Sequence, residues 1–285
     1  MVALVWAFAG ASVVEARPSK KKRGDTFTAA AAKIDEASVV APVKPVTSAE
    51  VQTLLAALVG SNDDAAASAA QRLAQAGPAN VAAVDALIEA LALGTSPQLG
   101  VVFLNALGTL KHPKSLQITA LYAGNRHPEV RVAALMSLQN LREDGAAGIL
   151  LERLGDQDAT VRAAAATALA VRKDTRAAPR LWALVQRNDA GASAAFGQLG
   201  PLELAPKLAE LRGTIDDSTL SSALGEFLKR PDAPDRLRID LVRTLGGVAG
   251  ADATTALVEY LATIPDGDTR PSKHEAETLI EQRSR

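Results

Sequence analysis

Apolar residues recur at three- and four-residue steps along most of the chain after Ser48, in blocks that short polar segments separate. One block is representative, with apolar positions at Val130, Ala133, Ala134, Leu138 and Leu141. This spacing places the apolar side chains on one face of a helix. Polar and glycine residues at 143–145 end the block, and a second apolar stripe follows at 149–154. The pattern predicts pairs of amphipathic helices.

The blocks repeat with a spacing of 31 residues. Equivalent apolar positions at this spacing are Leu99, Val130 and Val161; Leu107, Leu138 and Leu169; and Leu87, Ile118 and Ile149. A period between 20 and 50 residues is typical of stacked-repeat proteins. Two such helices cannot bury both faces alone, so neighbouring pairs must stack. We therefore predict an all-α solenoid of about six stacked antiparallel helix pairs.

Two segments resemble the first helix of HEAT repeats, in the short form that also occurs in phycobilisome lyases. They are Pro128-Glu-Val-Arg-Val-Ala-Ala-Leu-Met-Ser-Leu and Asp158-Ala-Thr-Val-Arg-Ala-Ala-Ala-Ala-Thr-Ala-Leu. Pro179 and Pro206 match the proline that often stands in the first turn of the second helix, where no intrahelical hydrogen bond is lost. The resemblance covers residues 48–264. It implies a right-handed, armadillo-like superhelix that binds a protein or peptide on its concave face, with no shared catalytic residues.

The repeat becomes irregular after residue 187. Leu181 and Leu208 are 27 residues apart, and Leu208 and Leu257 are 49 apart. We therefore expect one extra helix at 216–229 and a bend or irregular stacking between 190 and 230. The last clear pair is expected at 235–248 and 252–263. Residues 265–285 are expected to form a polar tail or a capping helix.

The amino-terminal segment predicts export. Residues 2–14 form an apolar run of 13 residues, which is too short to span a bilayer but suits a signal peptide. Val14 and Ala16 fit the small-residue rule for cleavage, so residues 1–16 are the predicted signal peptide and Arg17 the new amino terminus. Since no Lys or Arg precedes the run, a buried apolar helix in a cytoplasmic protein is the alternative. Residues 17–47 read as a basic, proline-containing linker.

Composition narrows the function further. The chain has no cysteine, 3% aromatic residues and three histidines. After residue 47 it holds 24 basic and 28 acidic residues, whereas nucleic-acid binding favours a basic surface with spaced aromatics. Neither a phosphate-binding loop nor a nucleophile elbow occurs. We expect no enzyme activity, cofactor, metal, nucleic acid or transmembrane span.

Four polar residues fit a structural role between repeats. Arg131 and Arg162 occupy equivalent positions in successive first helices, and Asp156 and Asp158 lie in the loop between them. Asp158 also precedes a helix, where aspartate is a favourable N-cap. In HEAT-like stacks, Asp and Arg at such places connect adjacent repeats.

A basic cluster between residues 172 and 187 is the candidate binding surface. It holds five basic residues and one acid, and we define it as Arg172, Lys173, Arg176, Arg180 and Arg187. Arg153 is expected to extend it, and Trp182 is either core or an anchor on the concave face. Arginine suits bidentate contacts with carboxylate or phosphate, so an acidic peptide or an anionic envelope polymer is the expected ligand. A solvated helix face is the alternative.

Two classes of function remain. The first is a non-enzymatic, protein-binding scaffold exported to a bacterial periplasm or cell envelope. The second is a HEAT-like lyase or accessory subunit, or a nucleic-acid-binding enzyme built on such repeats. The acidic repeat region and its few aromatic residues favour the scaffold.

Overall fold

The computed structural model describes residues 46–284, apart from residues 61 and 78 and the side chain of residue 48. Its helices are, in chain order, α1 (Ser48–Leu58), α2 (Asp63–Leu73), α3 (Val81–Ala92), α4 (Pro97–Leu110), α5 (Leu116–Tyr122), α6 (Pro128–Gln139), α7 (Asp144–Arg153), α8 (Ala159–Val171), α9 (Ala178–Gln186), α10 (Ala190–Leu199), α11 (Ala205–Ala209), α12 (Asp217–Lys229), α13 (Asp235–Gly246), α14 (Ala251–Ala262) and α15 (Pro271–Arg283). Short 3-10 turns precede α5, α9 and α11. The described residues contain no strand.

The helices form two layers. The first layer contains the even-numbered helices, each packed against the next from α2 to α14. The second layer contains the odd-numbered helices, and each of them packs against its first-layer neighbour. Each odd-numbered helix from α1 to α13 packs on the first-layer helix that follows it, so the described helices form seven pairs from α1 and α2 to α13 and α14, and α15 packs on both α13 and α14. The predicted all-α solenoid of stacked helix pairs is confirmed, with one pair more than expected.

Local signals in the sequence set the start of many helices. The side chains of Thr47, Asn62, Asn80, Ser96 and Asp158 each accept a hydrogen bond from a backbone N–H group of the first turn that follows. These N–H groups have no partner inside the helix, so the caps stabilise each start by about 1 kcal/mol. Proline at the first position of α4, α6 and α15 also favours the start of each helix, because its fixed backbone angle suits the first turn.

The apolar stripes form one continuous core between the layers. The stripe of α6 is buried at every position named above, from Val130 to Leu141. Much of the first layer consists of small residues, and Gly197 of α10 is the tightest case. A Cβ there would overlap the carbonyl oxygen of Ala223 and lie 2.5 Å from Glu226 Cβ. Glycine therefore allows α10 and α12 to pack with their backbones close together.

The helix expected at 216–229 exists as α12, and it packs on α10 and α14 as a first-layer helix and is not an addition to the repeat. The second-layer helix before it, α11, has only five residues, in agreement with the short repeat expected here. The bend expected between residues 190 and 230 stays a prediction. The prediction of an extra helix treated Leu208 and Leu257 as equivalent, whereas Leu208 lies in the second layer and Leu257 in the first. The glycines that suggested a break serve close packing instead.

The predicted last pair corresponds to α13 and α14, which pack against each other. The predicted capping helix corresponds to α15, which packs on both of them. Arg283 of α15 donates hydrogen bonds from Nη2 to the carbonyl oxygens of Leu245 (2.6 Å) and Val248 (2.5 Å) at the end of α13. Ser272, at the other end of α15, donates its N–H to Asp235 of α13 (3.3 Å). The carboxyl-terminal segment is thus an integral helix of the stack.

The predicted signal peptide at residues 1–16, its cleavage site at Ala16 and Arg17, and the linker up to residue 45 lie outside the described residues.

Candidate functional site

Four loops that lead from the second layer back to the first lie in successive repeats. We call residues 93–96, 123–127, 154–158 and 187–189 the loop edge. Each loop ends in the N-cap of a first-layer helix. In the last two loops these caps are Asp158, which accepts from Thr160 N–H at 2.8 Å, and Asp189, which accepts from Gly191 N–H at 3.1 Å.

Two arginines connect these loops in the same way, one repeat apart. Arg131 donates from Nη1 to the carbonyl oxygen of Asn125 (2.9 Å) and from Nη2 to Asp156 Oδ1 (2.8 Å). Arg162 donates from Nη1 to the carbonyl oxygen of Asp156 (2.9 Å) and from Nε to Asp189 Oδ2 (2.6 Å). Each arginine therefore joins its own loop to the next loop.

The four residues predicted to connect repeats take different roles. Arg131, Arg162 and Asp156 form the connections described above. Asp158 instead bonds only locally, and the hydrogen bonds from Thr160 hold the pKa of its carboxyl group below the usual value. Asp189 is the partner of Arg162, and no prediction from the sequence included it. The 31-residue period relates Asp189 to Asp158 and identifies both as helix caps, as observed. The period does not identify the ion pair, because the residue equivalent to Asp156 is Arg187.

Three neighbouring cavities open along the loop edge, with volumes of 390, 520 and 390 Å³. Each is formed by two successive loops. Together their walls contain five arginines against two aspartates, namely Arg126, Arg131, Arg153, Arg162, Arg187, Asp156 and Asp189. The lining therefore favours an anionic ligand.

Three of these arginines are not part of the inter-loop connections. Arg126 donates from Nε to His127 Nε2 (3.0 Å), and Arg187 is exposed at the end of α9. Among the described residues, no carboxylate lies within 4 Å of either guanidinium group. Arg153 pairs with the exposed carboxylate of Glu152 at 3.0 Å and also lies 4.0 Å from Asp156, the partner of Arg131. Arg126 and Arg187 can therefore contact a partner without breaking the connections between repeats.

The basic cluster predicted from the sequence is not one surface. Arg172 is turned inward, where it donates to the carbonyl oxygens of Leu138 (3.3 Å) and Leu141 at the end of α6. Arg176 forms an ion pair with Asp174 at 2.6 Å, and its hydrogen bond lowers the pKa of that carboxyl group. Arg176 and Arg187 lie at opposite ends of α9, roughly 16 Å apart along the axis. Only Arg187 of this cluster lines a loop-edge cavity.

The remaining members of the predicted site are also placed separately. Arg180 is exposed and donates from Nη1 to the carbonyl oxygen of Leu151 in the preceding repeat, and Lys173 is exposed in the turn before α9. Trp182 is half-buried and packs on Phe196 with ring centroids 5.1 Å apart. Trp182 thus contributes to packing between α9 and α10.

The histidines lie apart from one another. His112 accepts the Lys114 N–H in a turn, His127 precedes α6, and His274 is exposed on α15. Within residues 46–284 as described, no group of three or more His, Cys, Asp or Glu side chains could hold a metal ion. The helices of the same part of the chain include none long and apolar enough to cross a membrane.

Comparison with known proteins confirms the resemblance seen in the sequence. Residues 117–199 match the HEAT repeats family. These residues run from α5 to the end of α10 and include both inter-loop connections and the basic cluster. Among curated proteins, no match is found.

Two solved structures show similarity over most of the chain. The complex of CpcE and CpcF of phycocyanin lyase from Nostoc sp. PCC7120 is 22% identical, with a TM-score of 0.46, and the alignment covers 81% of this chain and 94% of that chain. An engineered protein is 18% identical, with a TM-score of 0.36, and the alignment covers 82% of this chain and 96% of that chain.

Proposed function

We propose that this chain, in which residues 117–199 are HEAT repeats, is a non-enzymatic scaffold that binds an acidic segment of a protein partner along its loop edge. The observation that carries the proposal is the row of three cavities formed by successive loops, with five arginines and two aspartates in their walls. A row of this kind suits an extended chain better than a compact substrate, because neighbouring cavities repeat the same chemistry.

The charges of the edge are already positioned for recognition. Arg131 and Arg162 are held by hydrogen bonds to backbone carbonyls and aspartates, so they need no reorganisation when a ligand arrives. Arg126 and Arg187 present guanidinium groups that can form paired hydrogen bonds with a carboxylate. The bound carboxylates would replace water around groups that are partly exposed, which favours moderate and salt-dependent affinity.

The binding test uses the full chain and a fluorescein-labelled peptide of alternating glutamate and glycine, followed by fluorescence anisotropy. We expect saturable binding that weakens with salt, and at least a tenfold loss of affinity in the Arg126→Glu, Arg187→Glu double variant. Each charge-assisted hydrogen bond contributes about 1.5 to 3 kcal/mol, so losing even one accounts for a tenfold effect.

A double variant with the same change of charge serves as the control. Arg142 and Lys173 are exposed in the turns at the other ends of the first-layer helices, outside the loop-edge cavities. Arg142→Glu, Lys173→Glu should leave the affinity nearly unchanged. If both double variants lose affinity equally, the attraction is diffuse and the loop edge has no specific role. Absence of saturable binding at low salt would also refute the proposal.

We also propose that the scaffold is exported and acts in the periplasm or cell envelope. The support is the apolar run at residues 2–14 followed by a Val-x-Ala end. The mature protein should then begin at or near Arg17. Amino-terminal sequencing of the protein purified from its native host tests this expectation, and recovery of residues 1–14 would contradict it.

A further inference from the structure

The first-layer helices α10, α12 and α14 form a groove of 380 Å³ on the face that points away from the second layer. All of its lining residues belong to these three helices, and no second-layer helix contributes one. The residues of α12 in the lining run from Ser218 to Lys229 at three- and four-residue steps, so the groove follows one face of that helix over roughly 16 Å. It is therefore an open groove on the surface and not part of the core.

Small and hydroxyl-bearing side chains form the floor of the groove. They are Ser193, Ser218, Ser221, Ser222, Gly225, Thr255 and Ala256. Ser221 is 1% exposed, and its hydroxyl group has no hydrogen-bond partner among the described residues. A buried polar group without a partner is unfavourable, so a ligand that bonds to this hydroxyl group would remove that cost.

The charged side chains of the groove are three carboxylates and one ammonium group. Lys229 pairs with Glu226 at 2.5 Å and with Glu259 at 3.1 Å, and both glutamates line the groove. Because one lysine neutralises only one of them, this group of three side chains keeps one negative charge.

The third carboxylate, Asp252, has no such partner. It lines the groove from the first turn of α14 and forms no ion pair or side-chain hydrogen bond with the described residues. Arg283 also reaches the start of α14, but it donates to Thr254 Oγ1 (2.9 Å), which lies outside the groove on the side towards α15. Asp252 is therefore a free negative charge at the end of the groove where α14 begins.

The groove adjoins the last cavity of the loop edge. That cavity includes Asp189, the N-cap of α10, and the groove includes Ala190, the next residue. Asn188 of the same loop accepts the Asp216 N–H at 2.8 Å, which holds the start of α12 beside it. A chain that follows the loop edge can therefore pass from walls rich in arginines to walls rich in carboxylates.

We propose that this groove binds a lysine side chain that flanks the acidic segment of the partner, an inference that rests on the function proposed above. The ammonium group is a compact cation with three donors, which suits the Asp252 carboxylate and the hydroxyl groups of Ser221 and Thr255 as acceptors. The small residues Gly225 and Ala256 leave room for the unbranched stem of a lysine. The partner segment is thus acidic along the loop edge and basic beside it.

Fluorescence anisotropy on the full chain tests this pairing with four labelled peptides at constant ionic strength. Each contains the same core of alternating glutamate and glycine, and two lysines or two glutamines are added at its amino or carboxyl end. We expect one lysine peptide to bind about fivefold more tightly than its glutamine counterpart, which is the effect of one ion pair at a partly exposed site. The end that gives the gain shows the direction of the partner chain.

The sign of this effect distinguishes the groove from general attraction. Two lysines reduce the negative charge of the peptide, so diffuse attraction to the arginines of the loop edge predicts weaker binding of both lysine peptides. If the glutamine peptides bind and neither lysine peptide binds more tightly, the inference about the groove is wrong and the proposed function stands. If the glutamine peptides fail to bind, the proposed function is wrong, and the inference that rests on it is overturned as well.

Two variants locate the gain in the groove. Asp252→Asn should remove it while the glutamine peptides keep their affinity, and Asp266→Asn, at an exposed carboxylate outside the groove, should retain it. Ser222→Lys provides a second route, because Ser222 is exposed and lines the groove, so that the new ammonium group competes from within. A gain that persists in folded Asp252→Asn and Ser222→Lys proteins would place the lysine elsewhere and overturn the proposal.

Discussion

The middle repeats and the carboxyl-terminal repeats of this stack are joined by different chemistry. From α6 to α10, the loops are connected by Arg131 with Asp156 and by Arg162 with Asp189. From α10 to α15, the described residues show no such connection between loops, and ion pairs join neighbouring helices instead, Lys229 with Glu259 and Arg243 with Glu275. Gly197 lets α10 and α12 approach closely, and Phe196 packs edge-on against Phe227 with ring centroids 5.7 Å apart.

Arginines cap helix ends in both regions. Arg172 donates to the carbonyl oxygens of Leu138 and Leu141 at the end of α6, as Arg230 does to that of Gly200 after α10. Arg283 does the same at the end of α13. Carbonyl oxygens at a helix end attract a cation without any matching acidic residue in the sequence. These caps are common to both regions, and the arginine–aspartate connections between loops distinguish the middle repeats.

This difference also affects where arginines are found. At the loop edge, Arg131 and Arg162 pair with aspartates of the next loop, and Arg126 and Arg187 lie beside them. In the carboxyl-terminal repeats, the buried Arg238 donates to carbonyl oxygens at the end of α12. Successive repeats with the same loop chemistry favour a long interaction surface.

Of the variants proposed here, removal of the Asp156 carboxylate should cause the largest loss of stability. Asp156→Ala leaves Arg131 buried without its carboxylate, with the side chain 7% exposed, and should lower the free energy of unfolding by about 3 kcal/mol. Urea denaturation followed by circular dichroism measures this change. Relative to the original protein, native-state hydrogen exchange of the variant should become faster in α6 to α8 and change little in α12 to α15. The reason is that each repeat contacts only its neighbours.

A surface ion pair in the other region provides the control. Glu259 is 56% exposed and pairs with Lys229, so Glu259→Ala should cost less than about 1 kcal/mol. If the two alanine variants lose equal stability, the arginine–aspartate connections have no special importance in the middle repeats.

The close approach of α10 and α12 provides a test in the carboxyl-terminal repeats, with a smaller expected loss of stability. Gly197→Ala introduces a Cβ that overlaps the Ala223 carbonyl oxygen, so the helices must move apart and stability should fall by about 2 kcal/mol. Hydrogen exchange should then increase in α10 and α12 while α6 is little affected.

Gly148→Ala is the matched control, since a Cβ at Gly148 meets nothing within 4 Å and α7 gains a better helix former. It should raise stability by about 0.5 to 1 kcal/mol. A Gly197→Ala protein as stable as the original would mean that the packing of α10 and α12 adjusts freely, and the glycine would not be required there.

The sequence alone determined the helical class, the pairing of helices and the 31-residue repeat. These follow from local causes, namely the periodic apolar stripe, the caps before each helix and the polar turns. The positions of Arg131 and Arg162 could be predicted because they are one period apart, whereas their partners Asp156 and Asp189 are not, so only the structure assigns each ion pair.

Only the tertiary structure determined the roles of side chains that the 31-residue repeat does not predict. Gly197 reads as a helix breaker in the sequence, yet the neighbouring backbone of α12 makes it a packing residue. Arg172 reads as part of a basic surface, yet the end of α6 draws it inward. Arg238 reads as an exposed residue of a polar helix, yet it is buried and donates to carbonyl oxygens at the end of α12. Side-chain roles set by such neighbours appear only once the helices are stacked.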